Sequence, residues 1–359
     1  MTYYNQSLLG LPGPTVFYTA LYLLALVVHW WFVSYILAGT VYLTATTFGR
    51  RLAPEDPRLT DPIRETLRDW MPFALSAAIT AGVAPLLFLQ VLYKRPFYTA
   101  NLLLFHRWMA ILPVLIVGFY LTYLLKARRA DRWRSWPTSV IGLAACACFG
   151  FTGYSWSENH LLSLDAGRWQ QIYASGMAWH RGPVILPRVA LWFSLAWPGM
   201  ASLLALQLFV MKAEFTPHRL ARWPLAGLAA AVVASVWYII ADRIVRTVAM
   251  GSGASPWLFM FLLGVAVQIG AWIRLYKGHS LTKSLAAWAA AGFLLTALGI
   301  AGFRETIRVN GSHFRVLFDD HAQAARVGGF CVFLAFAGLN AVLIALCACV
   351  VRRGRNASP

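Results

Sequence analysis

Charge is scarce in this sequence. Only 12% of its 359 residues are Asp, Glu, Lys or Arg, about half of the roughly 25% usual in a soluble domain. So little charge cannot cover a water-facing surface of this size, and much of the surface must face lipid. Acidic residues are scarcer still, 13 against 31 Lys and Arg, with a formal net charge of +18. Cysteine is limited to five residues, Cys146, Cys148, Cys331, Cys347 and Cys349, all inside apolar runs. None forms CxxC or precedes His as CxxCH, which excludes that mode of covalent haem attachment and leaves small helix-packing residues as the plain reading. HExxH, paired-carboxylate, phosphate-loop and GxSxG patterns are all missing. So are internal repeats and low-complexity linkers. A cleavable signal peptide is not expected, because the first 14 residues carry no positive charge and the first apolar run is too long for an h-region.

What the sequence does have is length of apolar run. Hydrophobic residues make up 59% of the chain, and a helix needs about 20 of them in succession to cross a bilayer core. Backbone groups in lipid must pair within the segment or in a closed barrel, and runs this long exclude barrel strands. The expected fold is all-α, a single polytopic transmembrane helix bundle over 1–359. Nine spans are expected near 15–45, 71–93, 98–125, 136–155, 188–211, 223–242, 256–275, 284–303 and 327–350. The first run exceeds what a bilayer needs, so it should tilt or project.

Lys and Arg set the orientation. Alternate loops and the C-terminal tail together hold nineteen of them, including Arg50, Arg51, Arg128, Arg129, Arg352 and Arg353, against eleven on the other side, with Arg107 inside a span. The N-terminus is therefore expected outside and the C-terminus in the cytoplasm. Basic residues confined to short loops in this way follow the positive-inside pattern rather than a nucleic-acid surface. The longest loops, near 157–187 and 304–326, are expected outside and carry Glu158, His160, Trp169, Trp179, His180, His313, Asp319, Asp320 and His321. Any chemistry then sits within the membrane or at its outer surface.

Three groups of polar residues within or beside the spans call for a reason. His29 is mid-span in the first run, roughly 15–20 Å from its outer edge at 1.5 Å per residue. A ring there needs a protein partner or a haem iron, and the sequence leaves both open. His106 and Arg107 fall in the third run about 100° apart on a helix, so they cannot share a role. Arg107 suits interfacial snorkelling or pairing with an acidic group such as a haem propionate. His106 suits anchoring or ligation. At the end of the eighth run, Arg304 and Arg308 share a helix face, and Glu305 stands three before Arg308. This is a boundary ion pair or a carboxylate and guanidinium framing a cofactor. Gly82 and Pro85 in the second run suggest a kink or close packing.

Four local patterns resemble the haem-bearing large subunit of cytochrome bd-type quinol oxidases. His29 followed by WWFVSYILAG is similar to the segment whose His ligates a haem b. FALSAAITAGVAPLLFLQ is similar to that family's second span, and NHLLSLDAGRWQ to its outer loop before span five. Glu305 and Arg308 match the ExxR core near the outer end of span eight. The resemblance implies nine spans with the N-terminus outside, in a bacterial plasma membrane. It implies haem b bound through His29, with Glu305 and Arg308 at the active centre and Arg304 beside the haem's acidic groups. Quinone, partner subunits of a redox complex and a c-type cytochrome would be its associates. The departures are equally specific. The stretch from Pro187 to Leu191 lacks the family's His at the start of span five. Met260 is only near the level of the family's Met ligand. The long quinol loop is reduced to 243–255, and His106 with Arg107 stands where acidic proton-path residues are expected. Two further readings remain: a haem-free scaffold or anchor subunit, and a transporter, the latter opposed by the near absence of mid-membrane acids and repeats.

The charge bias gives a first test. A fluorescent protein fused after Pro359 should be bright, because the tail is cytoplasmic, and a periplasmic phosphatase fused there should be inactive. The reverse pattern would overturn the orientation.

Overall fold

The computed structural model describes residues 15–52, 61–127, 135–176, 182–310 and 329–356. Twelve α-helices run through them: α1 (Thr15–Leu52), α2 (Pro62–Leu92), α3 (Lys94–Leu103), α4 (Phe105–Lys126), α5 (Ser135–Leu164), α6 (Trp169–Ser175), α7 (Ile185–Val210), α8 (Pro217–Ala241), α9 (Arg243–Ala249), α10 (Ser255–Tyr276), α11 (Lys283–Val309) and α12 (Phe330–Asn356). No strand occurs among the described residues. Among the described residues, nine helices are long and apolar enough to cross a membrane, and the fold is an all-α polytopic bundle. With 38 residues, α1 is about 57 Å long at 1.5 Å per residue, well beyond the bilayer core.

Several boundaries differ from the hydropathy reading: α2 begins at Pro62, nine residues before the expected 71, α8 begins at Pro217 rather than 223, and α1 and α11 run on to Leu52 and Val309, past the expected 45 and 303. The third run divides at Leu104 into α3 and α4. The fourth span, α5, extends nine residues past the expected end at 155, to Leu164. It therefore includes Glu158 and His160, which were expected in a loop. Polar residues end an apolar run without ending a helix when neighbouring helices supply their partners. Here Asn159 donates to Asn101 of α3 at 2.6 Å, and Glu158 meets Arg107 of α4.

The chain forms two compact units. The smaller joins the start of α1, up to Leu21, with the segment from Ser312 onward. Its described contacts are aromatic, with Phe17 edge-on to Phe333 at 5.4 Å and Phe330 stacked on Phe333 at 6.3 Å. The larger, Tyr22–Gly311, contains the core. Helix ends are fixed by side-chain caps: Asp61 accepts from the Ile63 amide at 3.1 Å, and Thr282 from that of Leu285 at 3.2 Å. These caps satisfy orphan N–H groups at the aqueous ends.

Within the larger unit, helix contact depends on small residues, because apolar burial gives little advantage between helices already in lipid. The tightest pair is α10 with α11. A Cβ at Gly299 would stand 2.5 Å from the Phe261 amide nitrogen, and one at Gly264 would stand 2.6 Å from the Gly292 carbonyl oxygen. The close approach brings Gln268 Nε2 within 2.9 Å of Thr296 Oγ1, to which it donates. Elsewhere α1 is tied to α7, with Trp31 donating to Ser202 and Tyr35 to Gln207, both at 2.9 Å. Gly199 gives room for Ser34 and Phe293.

Gly299→Leu should separate α10 from α11 and destabilise the protein by about 1–3 kcal/mol, the usual scale of overpacking. Gly270→Ala, with nothing within 4 Å of the added carbon, is the control and should leave thermal unfolding in detergent unchanged. Equal effects would contradict this packing.

Candidate functional site

The last two turns of α11 carry Arg304, Glu305 and Arg308 into the interior. Spacings of three and four residues put all three on neighbouring faces of one helix. Arg308 Nη1 donates to Glu305 Oε2 at 3.2 Å. The other carboxylate oxygen accepts from the hydroxyl of Tyr93, at the junction of α2 and α3. The Arg308 guanidinium lies 4.3 Å from the centre of the Tyr93 ring and 5.9 Å from that of Tyr22. Arg304 Nη2 donates to the Tyr22 hydroxyl at 2.6 Å. Its guanidinium also lies over Trp30 and Trp192, at 5.6 and 6.0 Å.

A third guanidinium enters from the first turn of α7. Arg188 lies over Trp192 at 5.1 Å, and its Nη1 is 2.8 Å from His160 Nδ1. Tyr22, Tyr93, His160, Arg188, Arg304, Glu305 and Arg308 are each 7% exposed or less; the connected path through these contacts also uses Trp192. The alternation of helices explains why they meet: α2, α5 and α11 finish, and α7 begins, on one side of the unit. The group holds three guanidiniums and one carboxylate. Burial of an unmatched charge costs several kcal/mol even after relaxation, so this surplus is the most unusual feature of the structure. Three nitrogens in it, Arg188 Nη2, Arg304 Nε and His160 Nε2, are buried without a hydrogen-bond partner among the described residues.

A second ion pair lies beside it on α4 and α5. Arg107 Nη1 is 2.7 Å from Glu158 Oε2, which is wholly buried, and the guanidinium stands over Tyr154 at 5.6 Å. Arg107 thus has a protein carboxylate as partner. His106 is exposed, its ring edge-on to Phe105, so the two neighbours do face different surroundings.

His29 is half-buried in the middle of α1. Its Nδ1 is 2.8 Å from the Ala78 carbonyl oxygen on α2. A carbonyl only accepts, so Nδ1 carries a proton, and in the neutral ring Nε2 then keeps its lone pair. The ring lies against Gly82, where a Cβ would come within 2.8 Å of two ring atoms. Gly82 therefore serves close approach, and α2 stays helical through Pro85. Arg304 reaches Trp30, the residue after His29, so the guanidinium cluster and the imidazole adjoin along α1.

The structure thus joins Arg304, Glu305 and Arg308 and sets His29 nearby. Met260 is half-buried on α10. Neither it nor His106 enters the hydrogen-bonded network of described residues. Trp179, His180, His313, Asp319, Asp320 and His321 lie outside the described residues. Among the described residues, no group of three or more His, Cys, Asp or Glu could hold a metal ion. Arg188, Tyr22 and Tyr93 join the site without having been singled out in the sequence. Arg188 did leave a signal, an Arg within the first turn of an apolar run. The two tyrosines left none.

Compared with protein families, with curated proteins and with solved structures, the chain matches none.

Removing the Tyr93 hydroxyl with Tyr93→Phe should destabilise by about 1–3 kcal/mol, the scale for a buried polar group losing a bond. Arg308→Met should cost more, about 3–5 kcal/mol, because the Glu305 charge loses its counter-ion. Thermal unfolding in detergent ranks the two, and a harmless Arg308→Met would contradict the ion pair.

Proposed function

We propose that this chain is a b-type cytochrome-like subunit of a membrane electron-transfer complex, with His29 as the residue that would hold a haem. The reading is carried by the His29 ring. A neutral imidazole whose Nδ1–H is fixed by a backbone carbonyl, with Nε2 left over, is the usual arrangement of a metal-ligating histidine. Here Ala78 supplies the carbonyl, at 2.8 Å, and Gly82 supplies the space. The nearby surplus of guanidinium charge suits the two carboxylates of a haem.

In this reading haem supplies one-electron transfer when bound. His29 orients it, and α2 holds the tautomer. Arg304 and Arg308 offset acidic groups, and Glu305 is the proton-bearing group or a second ligand, held by Tyr93 and Arg308. Electrons come from quinol or a c-type cytochrome, and partner subunits complete the complex. The orientation set by Lys and Arg puts the Glu305 end of the bundle outside a bacterial plasma membrane. The second reading is a haem-free scaffold of a redox complex. It is favoured by Arg188, which occupies the first turn of α7 where the resembled oxidases carry a histidine ligand.

Purified protein should show reduced-minus-oxidised absorbance bands of haem b. His29→Ala should abolish them at unchanged protein yield, and Gly82→Ala, which pushes the ring without removing it, should weaken or shift them. Wild-type protein without haem bands would leave only the scaffold reading.

A further inference from the structure

Arg188, His160 and Arg304 share a property that neither the ion pair at Glu305 nor the His29 ring requires. Guanidinium nitrogens only donate, so Arg188 Nη1 donates to His160 Nδ1 across their 2.8 Å contact. His160 must then carry its own proton on Nε2. That fixes the character of the unpartnered atoms. Arg188 Nη2, Arg304 Nε and His160 Nε2 are all N–H donors, with no acceptor among them. The residues are nine-tenths buried or more, so water from an open surface does not satisfy them. A metal ion is excluded at these atoms, because each would present a proton to it.

The geometry points to an oxyanion-binding site at Arg188, Arg304 and His160, one that takes a ligand of two negative charges. Two observations carry it independently. The unpaired atoms call for acceptors, and the charge surplus calls for negative charge. Three guanidiniums less the Glu305 carboxylate leave two positive charges, which a dianion cancels. The Arg304 guanidinium lies over the rings of Trp30 and Trp192, and that of Arg188 over Trp192; an indole ring attracts the cation without accepting from its in-plane N–H groups, so Arg188 Nη2 and Arg304 Nε are left for the ligand. A dianion stabilises the site through charge-assisted hydrogen bonds, about twice as strong as neutral ones. Carboxylates of a resident cofactor and a free phosphate-class dianion offer the same oxygens. The inference rests on the donors, not on haem, and the two stand or fall separately.

The test uses the full chain in detergent, as wild type and as Arg188→Met, with two readouts. Thermal unfolding is followed while orthophosphate is titrated against chloride at equal ionic strength, and the haem-to-protein ratio is measured by absorbance. A saturable rise in unfolding temperature with phosphate, with apparent affinity about tenfold or more weaker in Arg188→Met, supports a free oxyanion; a lost charge-assisted bond is of that size. No phosphate response in the wild type, together with a haem content that falls in Arg188→Met, supports carboxylates of the cofactor. A phosphate response that survives Arg188→Met overturns the inference. So does a wild type that ignores phosphate while Arg188→Met leaves haem content unchanged, including unchanged at zero. If Arg188→Met does not accumulate, Arg188→Lys, which keeps the charge and loses the fork, replaces it with the same outcomes. Haem bands that vanish in His29→Ala, in a protein that ignores phosphate and whose haem content Arg188→Met leaves unchanged, would uphold the cytochrome reading and sink this one. A phosphate response in haem-free protein would do the opposite.

Discussion

A guanidinium inside a helical bundle in lipid must find acceptors there, because neither water nor hydrocarbon supplies them. The larger unit buries three, Arg188, Arg304 and Arg308, and gives them one carboxylate, Glu305. The arrangement around them follows from that constraint. Tyrosine hydroxyls serve where carboxylates are lacking: Tyr22 accepts from Arg304, while Tyr93 donates to Glu305 and offers Arg308 its ring face. Tryptophans form the rest of the lining, since an indole face attracts a cation without carrying charge. His160 completes the group by accepting from Arg188. What is left over, two positive charges and three unpaired donors, is the feature from which ligand binding is argued.

A cluster with such a surplus would push its helices apart unless they were held by other means. Glycine contacts between α10 and α11 bring the backbones to near-minimum separation, and dispersion acts over the whole contact. The polar ties of α1 to α7 through Trp31 and Tyr35 lie further along both helices than Tyr22 and Arg188. The charged cluster is therefore carried by a closely packed mid-section of apolar and small residues. A pre-arranged site of this kind would bind the proposed oxyanion without first having to gather its own side chains.

Much of this fold was legible because apolar runs of bilayer length have few alternatives. The spans near 188–211 and 256–275 fall within a few residues of α7 and α10. Failures came where polarity and helicity part company. Ser157, Glu158, Asn159 and His160 read as a loop, yet they continue α5 because α3, α4 and α7 supply partners, and pairing across helices leaves no trace in one segment's hydropathy. The site was partly visible. Arg304, Glu305 and Arg308 stood out by spacing, and His29 by its depth in an apolar run. Tyr22 and Tyr93 were hidden, being ordinary residues of membrane helices and their ends. Arg188 stood at the very edge of the expected span, three residues after α7 begins, and so its place in the interior went unread.

The electron-transfer reading narrows to one nitrogen, His29 Nε2, and what stands beside it. Its protonation follows from the Ala78 carbonyl and its position from Gly82, so both are properties of α2 as much as of α1. An experimental density map of the purified chain, at a resolution that separates side chains, is the most direct measurement. The account predicts flat macrocycle density joined to His29 Nε2, with oxyanion density within hydrogen-bond distance of Arg188 and Arg304. A map with lipid or a neighbouring side chain against Nε2, and the three donors met by protein oxygens alone, would contradict it.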